Sequence, residues 1–81
     1  MTRREAEAWL ANALMDKVRN DRYPSATQLS IIEEVLPHEM VEDYLEILID
    51  KVSQDSVPSI PMLRRISRVA ESLPNTEPRG G

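Results

Sequence analysis

The chain has 81 residues, a net charge of −4 and no cysteine. Length sets one small domain, and the missing cysteines exclude disulfides and thiolate metal sites. Only His38 and carboxylates remain as metal ligands, and no metal or cofactor site is expected from them. A core this small rarely supplies more than roughly 3–5 kcal/mol, so self-association is the most available aid to stability.

No apolar run approaches the ~18 residues of a membrane span. Glu5, Glu7 and Asp16 interrupt any signal-like stretch at the start, so a cytoplasmic protein is expected. Arginine outnumbers lysine eight to two, the balance of a GC-rich coding sequence such as that of an actinobacterium or one of its phages. Charge is unevenly spread: residues 1–37 carry −1, residues 38–56 carry −5 and residues 57–81 carry +2. The total argues against indiscriminate polyanion binding. It is also too mild for a mimic of DNA.

The first helix is predicted over about Arg3 to Asn20. Ala6, Trp9, Leu10, Ala13, Leu14 and Val18 recur at three and four, one face of a 3.6-residue period. Thr2 serves as N-cap with Glu5 completing a capping box. Trp9, the only tryptophan, is expected to anchor the core; the alternative is a contact for a partner. Pro24 forces Tyr23 out of the helical region and ends the turn that begins at Asp21. Asp21 is expected to accept from the free N–H groups of the following helix.

The second helix is predicted from about Ala26 to Leu36, capped by Ser25 and Gln28. Leu29, Ile32, Val35 and Leu36 form its inner stripe, with Ser30, Glu33 and Glu34 outside. Pro37 stops it, and a third helix follows at once, giving a sharp corner. That helix, about His38 to Ser53, has the widest apolar face: Val41, Tyr44, Leu45, Leu48, Ile49 and Val52. It is expected to sit most centrally. Glu42, Asp43, Glu46 and Asp50 form an acidic stripe, and Ile47 lies at the edge, either covered by another helix or exposed at an interface. A turn from Asp55 to Ser59 leads to a fourth helix, about Ile60 to Leu73. Pro61 fits its first turn. Met62, Leu63, Ile66, Val69, Ala70 and Leu73 face inward, and Arg64, Arg65 and Arg68 face out. The Pro/Gly-rich residues 74–81 read as a disordered tail.

The sequence repeats itself. LMDKVRNDRYPSATQLSIIEEV, Leu14 to Val35, returns 34 residues later as LIDKVSQDSVPSIPMLRRISRV, Leu48 to Val69. Of 22 aligned positions, 10 are identical, including Lys17/Lys51, Asp21/Asp55, Pro24/Pro58 and Ser25/Ser59. The expected fold is therefore all-α: a compact four-helix domain over residues 1–73, built from two tandem helical hairpins about a pseudo-twofold. The period equals that of tetratricopeptide units, but their Trp-Leu-Gly-Tyr spacing is absent.

Catalysis finds little support. His38 is the only side chain that titrates near neutral pH unaided, and it stands at a helix start beside Pro37 and Glu39. Asp16/Lys17 and Asp50/Lys51 read as surface charge. The only glycines are Gly80 and Gly81, so there is no phosphate-cradling loop. No enzyme and no catalytic residue is predicted. PSIPMLRRISRVAESL resembles the closing helix of lambda-repressor-type helix-turn-helix domains, with its Pro-Ser start and L-x-R-I-x-x-x-A run. The likeness covers about 16 residues, and the upstream chain lacks the scaffold helix and Gly turn of that family. It implies Arg64, Arg65 and Arg68 on phosphates; the competing expectation is that they pair with the acidic stripe of the third helix or solvate an outer face. The Arg79-Gly80-Gly81 end resembles the tail of ubiquitin-like modifiers, on an otherwise helical chain.

The function expected from these residues is binding to another protein, or to a second copy, as a small adaptor or regulator. An acidic third helix beside a basic fourth orients a partner more readily than it performs chemistry. The candidate contacts are Glu42, Glu46, Arg64, Arg65 and Arg68, with Ile31, Ile47 and Tyr23 as apolar ones. The alternative is a DNA-binding regulator that uses the last helix.

Overall fold

A computed structural model of the chain describes residues 1–54 and 59–73. Its elements are α1 (Arg3–Asn20), α2 (Ala26–Val35), a 3₁₀ turn (His38–Met40), α3 (Val41–Ser53) and α4 (Ile60–Ala70). The described chain is all-helical and compact. The expected turn at Asp55–Pro58 and the expected tail at 74–81 lie outside the described residues.

The helix starts are fixed locally. Thr2 Oγ1 accepts from the Glu5 amide at 3.1 Å, and Glu5 Oε1 accepts from the Thr2 amide at 2.9 Å. Those bonds satisfy orphan donors at the head of α1 and hold the Glu5 carboxyl below its usual range, the bond to the Thr2 backbone contributing most. Ser25 and Gln28 form the same reciprocal box on α2. Ser59 Oγ accepts from the Met62 amide at 3.2 Å to start α4, with Pro61 in the first turn. Asp21 behaves differently from its expected role. Its Oδ1 accepts from the Tyr23 amide at 3.1 Å, two residues on and before α2 begins. Asp21 thus closes an Asx turn in the connection, since its short side chain reaches its own loop first.

Pro37 holds Leu36 extended (φ −62°, ψ 117°) and ends α2 at Val35. The chain re-enters through the 3₁₀ turn, with the Met40 amide donating to the Pro37 carbonyl at 2.9 Å. The third helix is therefore 3₁₀ before it is α, because no side chain caps its start.

α1 packs on α2, α3 packs on α4, and α3 lies against α1. Met15, Val18, Leu29, Ile32, Tyr44, Ile47 and Leu48 make the core, with Met62, Ile66 and Val69 of α4 packed against it only partly buried. Fully burying side chains of this size stabilises by roughly 1.5–3 kcal/mol each. α3 supplies the largest share of buried residues, as its wide apolar face implied. α4 buries none.

Several expected positions are corrected. Trp9 is 67% exposed rather than a core anchor. It stands nine residues from buried Val18, two and a half turns of a helix of ~3.6 residues per turn, and so faces the opposite way. The buried side of α1 is Ala11, Met15 and Val18. Ile49 and Leu63, expected inside, are exposed at 48% and 40%. Ile47 is covered. The pairs of the 34-residue repeat share burial only in part: Asp16/Asp50, Ser25/Ser59 and Val35/Val69 match, but Lys17 is exposed where Lys51 is buried, and Leu29 is buried where Leu63 is exposed.

Candidate interaction surface

Two polar contacts tie the helices together and decide which charges remain outside. Glu33, expected on the outer side of α2, is drawn inward between α3 and α4. Its Oε2 accepts from the Tyr44 hydroxyl at 2.5 Å and from Arg65 Nη1 at 2.7 Å. The Tyr44 hydroxyl also lies 3.4 Å from the Leu29 carbonyl. Burial pushes the Tyr44 pKa well above its ordinary value, and the Glu33 bond and charge add to this while Arg65 opposes it. Tyr44 is fully buried on an apolar face, and a buried hydroxyl without a partner is costly. Glu33 supplies that partner, and Arg65 compensates the carboxylate's charge.

The second contact is Lys51, 8% exposed, whose Nζ donates to the Arg19 carbonyl at 2.8 Å. It caps the last turn of α1 with a donor and with positive charge, both favourable at a helix C-terminus. Lys51 is therefore structural, not the surface charge that the sequence implied.

Of the expected contacts, Ile47 is buried beside this bridge and Arg65 is committed to Glu33. Both are largely withdrawn from solvent. Glu42, Glu46, Arg64 and Arg68 are exposed, as are Tyr23 and Ile31. Tyr23 carries the Arg22 guanidinium over its ring, 5.6 Å from the centroid. Among the described residues, the salt bridges are Arg3–Glu7 at 3.7 Å and Arg65–Glu33, so Arg64 and Arg68 do not pair with the acidic stripe of α3. Trp9 takes the alternative, outward position weighed for it, and Ile49, Ile60 and Leu63, not among the expected contacts, are exposed as well.

An open cleft of about 330 Å³ lies between α2, the 3₁₀ turn and α4, bordered by Glu33, Leu36, His38, Val41, Arg68 and Val69. Its floor is apolar. Its carboxylate is already engaged by Tyr44 and Arg65, leaving His38, Arg68 and Ser72 as polar groups at the rim. Among the described residues, no three His, Cys, Asp or Glu side chains converge as a metal site, and no helix is long and apolar enough to cross a membrane.

Comparison with protein-family models, curated proteins and solved structures finds no match. Exposed large apolar side chains stand on all four helices: Trp9 on α1, Ile31 on α2, Ile49 on α3, and Ile60 and Leu63 on α4.

Proposed function

We propose that this chain is a small non-enzymatic protein-interaction domain, an adaptor or regulator acting in the cytoplasm. The observation that carries the reading is Trp9, 67% exposed on the side of α1 turned away from the core. A tryptophan in water contributes little to a monomer of this size, whereas at a protein interface it is among the side chains that most often dominate binding. Ala6 and Ala13 flank it one turn away on either side and leave its faces open. We further read the 34-residue repeat as a duplicated hairpin about a pseudo-twofold, whose surfaces diverged while its DxxPS turn was kept.

The DNA-binding alternative has weaker support. Of the three arginines of α4, Arg65 is held by Glu33, and the net charge of −4 opposes binding of a polyanion by the other two. The deciding experiment is a pull-down with the tagged full chain from source-cell lysate, with and without nuclease, beside Trp9→Ala. A protein retained after nuclease and lost with Trp9→Ala supports the reading. Recovery of nucleic acid alone, abolished by nuclease and indifferent to Trp9→Ala, overturns it in favour of the regulator.

A further inference from the structure

The outer flank of the α3/α4 pair is apolar, charged on both sides and left uncovered. Lys51 reaches toward α1 and Arg65 toward α2. Ile49 stands two residues before Lys51, and Leu63 two residues before Arg65. Two residues are roughly half a turn, so Ile49 faces away from α1 and Leu63 away from α2. Because α3 and α4 pack on each other, both side chains fall on the flank that this pair turns to solvent. Ile60, one turn before Leu63 and 59% exposed, extends it. Glu42, two turns before Ile49, borders the α3 side, with Glu46 beyond it toward α1. Arg64 borders the α4 side, with Arg68 beyond it at the rim of the α2 cleft. All four are exposed and without a salt-bridge partner among the described residues.

We infer that a second copy of this chain covers the flank, in an isologous dimer that lays α3 of each protomer over α4 of the other. The charge pattern selects this occupant and this arrangement. A two-fold axis running along the helices exchanges left and right, placing Glu42 and Glu46 of one protomer against Arg64 and Arg68 of its partner. The surface is then complementary to itself, as a closed two-fold interface requires. An axis across the helices would set acid on acid and is disfavoured. Dimerisation would also cover α4, the helix that buries nothing by itself.

Helices of 13 and 11 residues at ~1.5 Å per residue, side by side at ~10 Å each, offer a footprint of roughly 400 Å². That is about half of the ~800 Å² that each partner contributes to a standard interface, so a weak, reversible association is expected. The inference does not depend on Trp9, which lies on α1.

Sedimentation equilibrium of the full chain from about 5 to 500 µM tests it, in low salt and in ~0.5 M salt. A monomer–dimer equilibrium, weakened in the higher salt, is expected. Ile49→Glu and Leu63→Glu should each weaken it at least ~10-fold while the helical circular dichroism stays unchanged, because both sites are exposed. Trp9→Ala should leave it unaltered. Arg64→Glu/Arg68→Glu and Glu42→Arg/Glu46→Arg should each abolish self-association, and an equimolar mixture of the two variants should restore it. A monomer at all concentrations overturns the inference. So does a dimer indifferent to Ile49→Glu and Leu63→Glu, or one that tightens with salt.

Discussion

Replacing Glu33 with Ala tests whether one carboxylate oxygen joins three helices. The change leaves the Tyr44 hydroxyl with only its long 3.4 Å approach to the Leu29 carbonyl. It also leaves Arg65, whose side chain is 16% exposed, without its anion. A hydrogen bond to a charged group contributes ~1.5–3 kcal/mol, and breaking a fully buried ion pair costs ~3–5 kcal/mol. Glu33 keeps 20% of its side chain in solvent, so water screens the charge and lowers the cost. About 2 kcal/mol is expected, a fall in Tm of about 8–16 °C for a domain of this size. Urea unfolding followed by circular dichroism measures it, with exposed Glu34→Ala as the neutral control. Tyr44→Phe and Arg65→Met, singly and together, report the coupling through the shared oxygen; a coupling of at least ~0.5 kcal/mol is expected for groups in one network. A Glu33→Ala variant within ~0.5 kcal/mol of the parent would behave as an ordinary surface substitution and would refute the bridging role.

The lysines of the repeat should separate: Lys51→Met, which removes the donor to Arg19, should cost about 1–2 kcal/mol, and Lys17→Met almost nothing, by the same unfolding assay. Tyr44 makes stability sensitive to alkali. Its hydroxyl ionises near pH 10 in the unfolded chain and well above that when folded, so its contribution is intact below pH 10 and is lost above it by about 1.4 kcal/mol per pH unit. That slope should vanish in Tyr44→Phe, and equal slopes in the two proteins would contradict it. Asp21→Asn retains an acceptor for the Tyr23 amide and should be nearly neutral in thermal unfolding, whereas Asp21→Ala should lose about 0.5–1 kcal/mol. Trp9 should emit at the long wavelength of solvated tryptophan and be quenched freely by acrylamide; blue-shifted, protected emission at nanomolar concentration would place it inside.

The local features were legible. Thr2 with Glu5 and Ser25 with Gln28 are signals spaced three residues apart, and both boxes form. Pro37 marked the corner, and the wide face of α3 marked the central helix. What failed depended on neighbours in space. The apolar positions of α1 wrap around the helix, and the bulk of Trp9 suggested an inner face that Ala11 and Met15 actually occupy. Identity between Lys17 and Lys51 implied equal roles, but only Lys51 meets a helix end. Glu33 and Arg65 stand 32 residues apart, so no periodic pattern pairs them. The readable signal was Tyr44 itself: a hydroxyl in the middle of an apolar stripe demands a polar group from another helix.

The absence of any fully buried residue on α4 divides the domain into unequal parts. Amide protons exchange through partial openings whose cost follows the burial they disrupt. Releasing α4 gives up half-covered contacts of Met62, Ile66 and Val69 and the Arg65 bridge, while Met15, Val18, Leu29, Ile32 and Leu48 stay packed. The chain thus behaves as a three-helix body with a fourth helix docked on it like a latch. Lifting it would uncover the part of the core cluster against which Met62, Ile66 and Val69 pack.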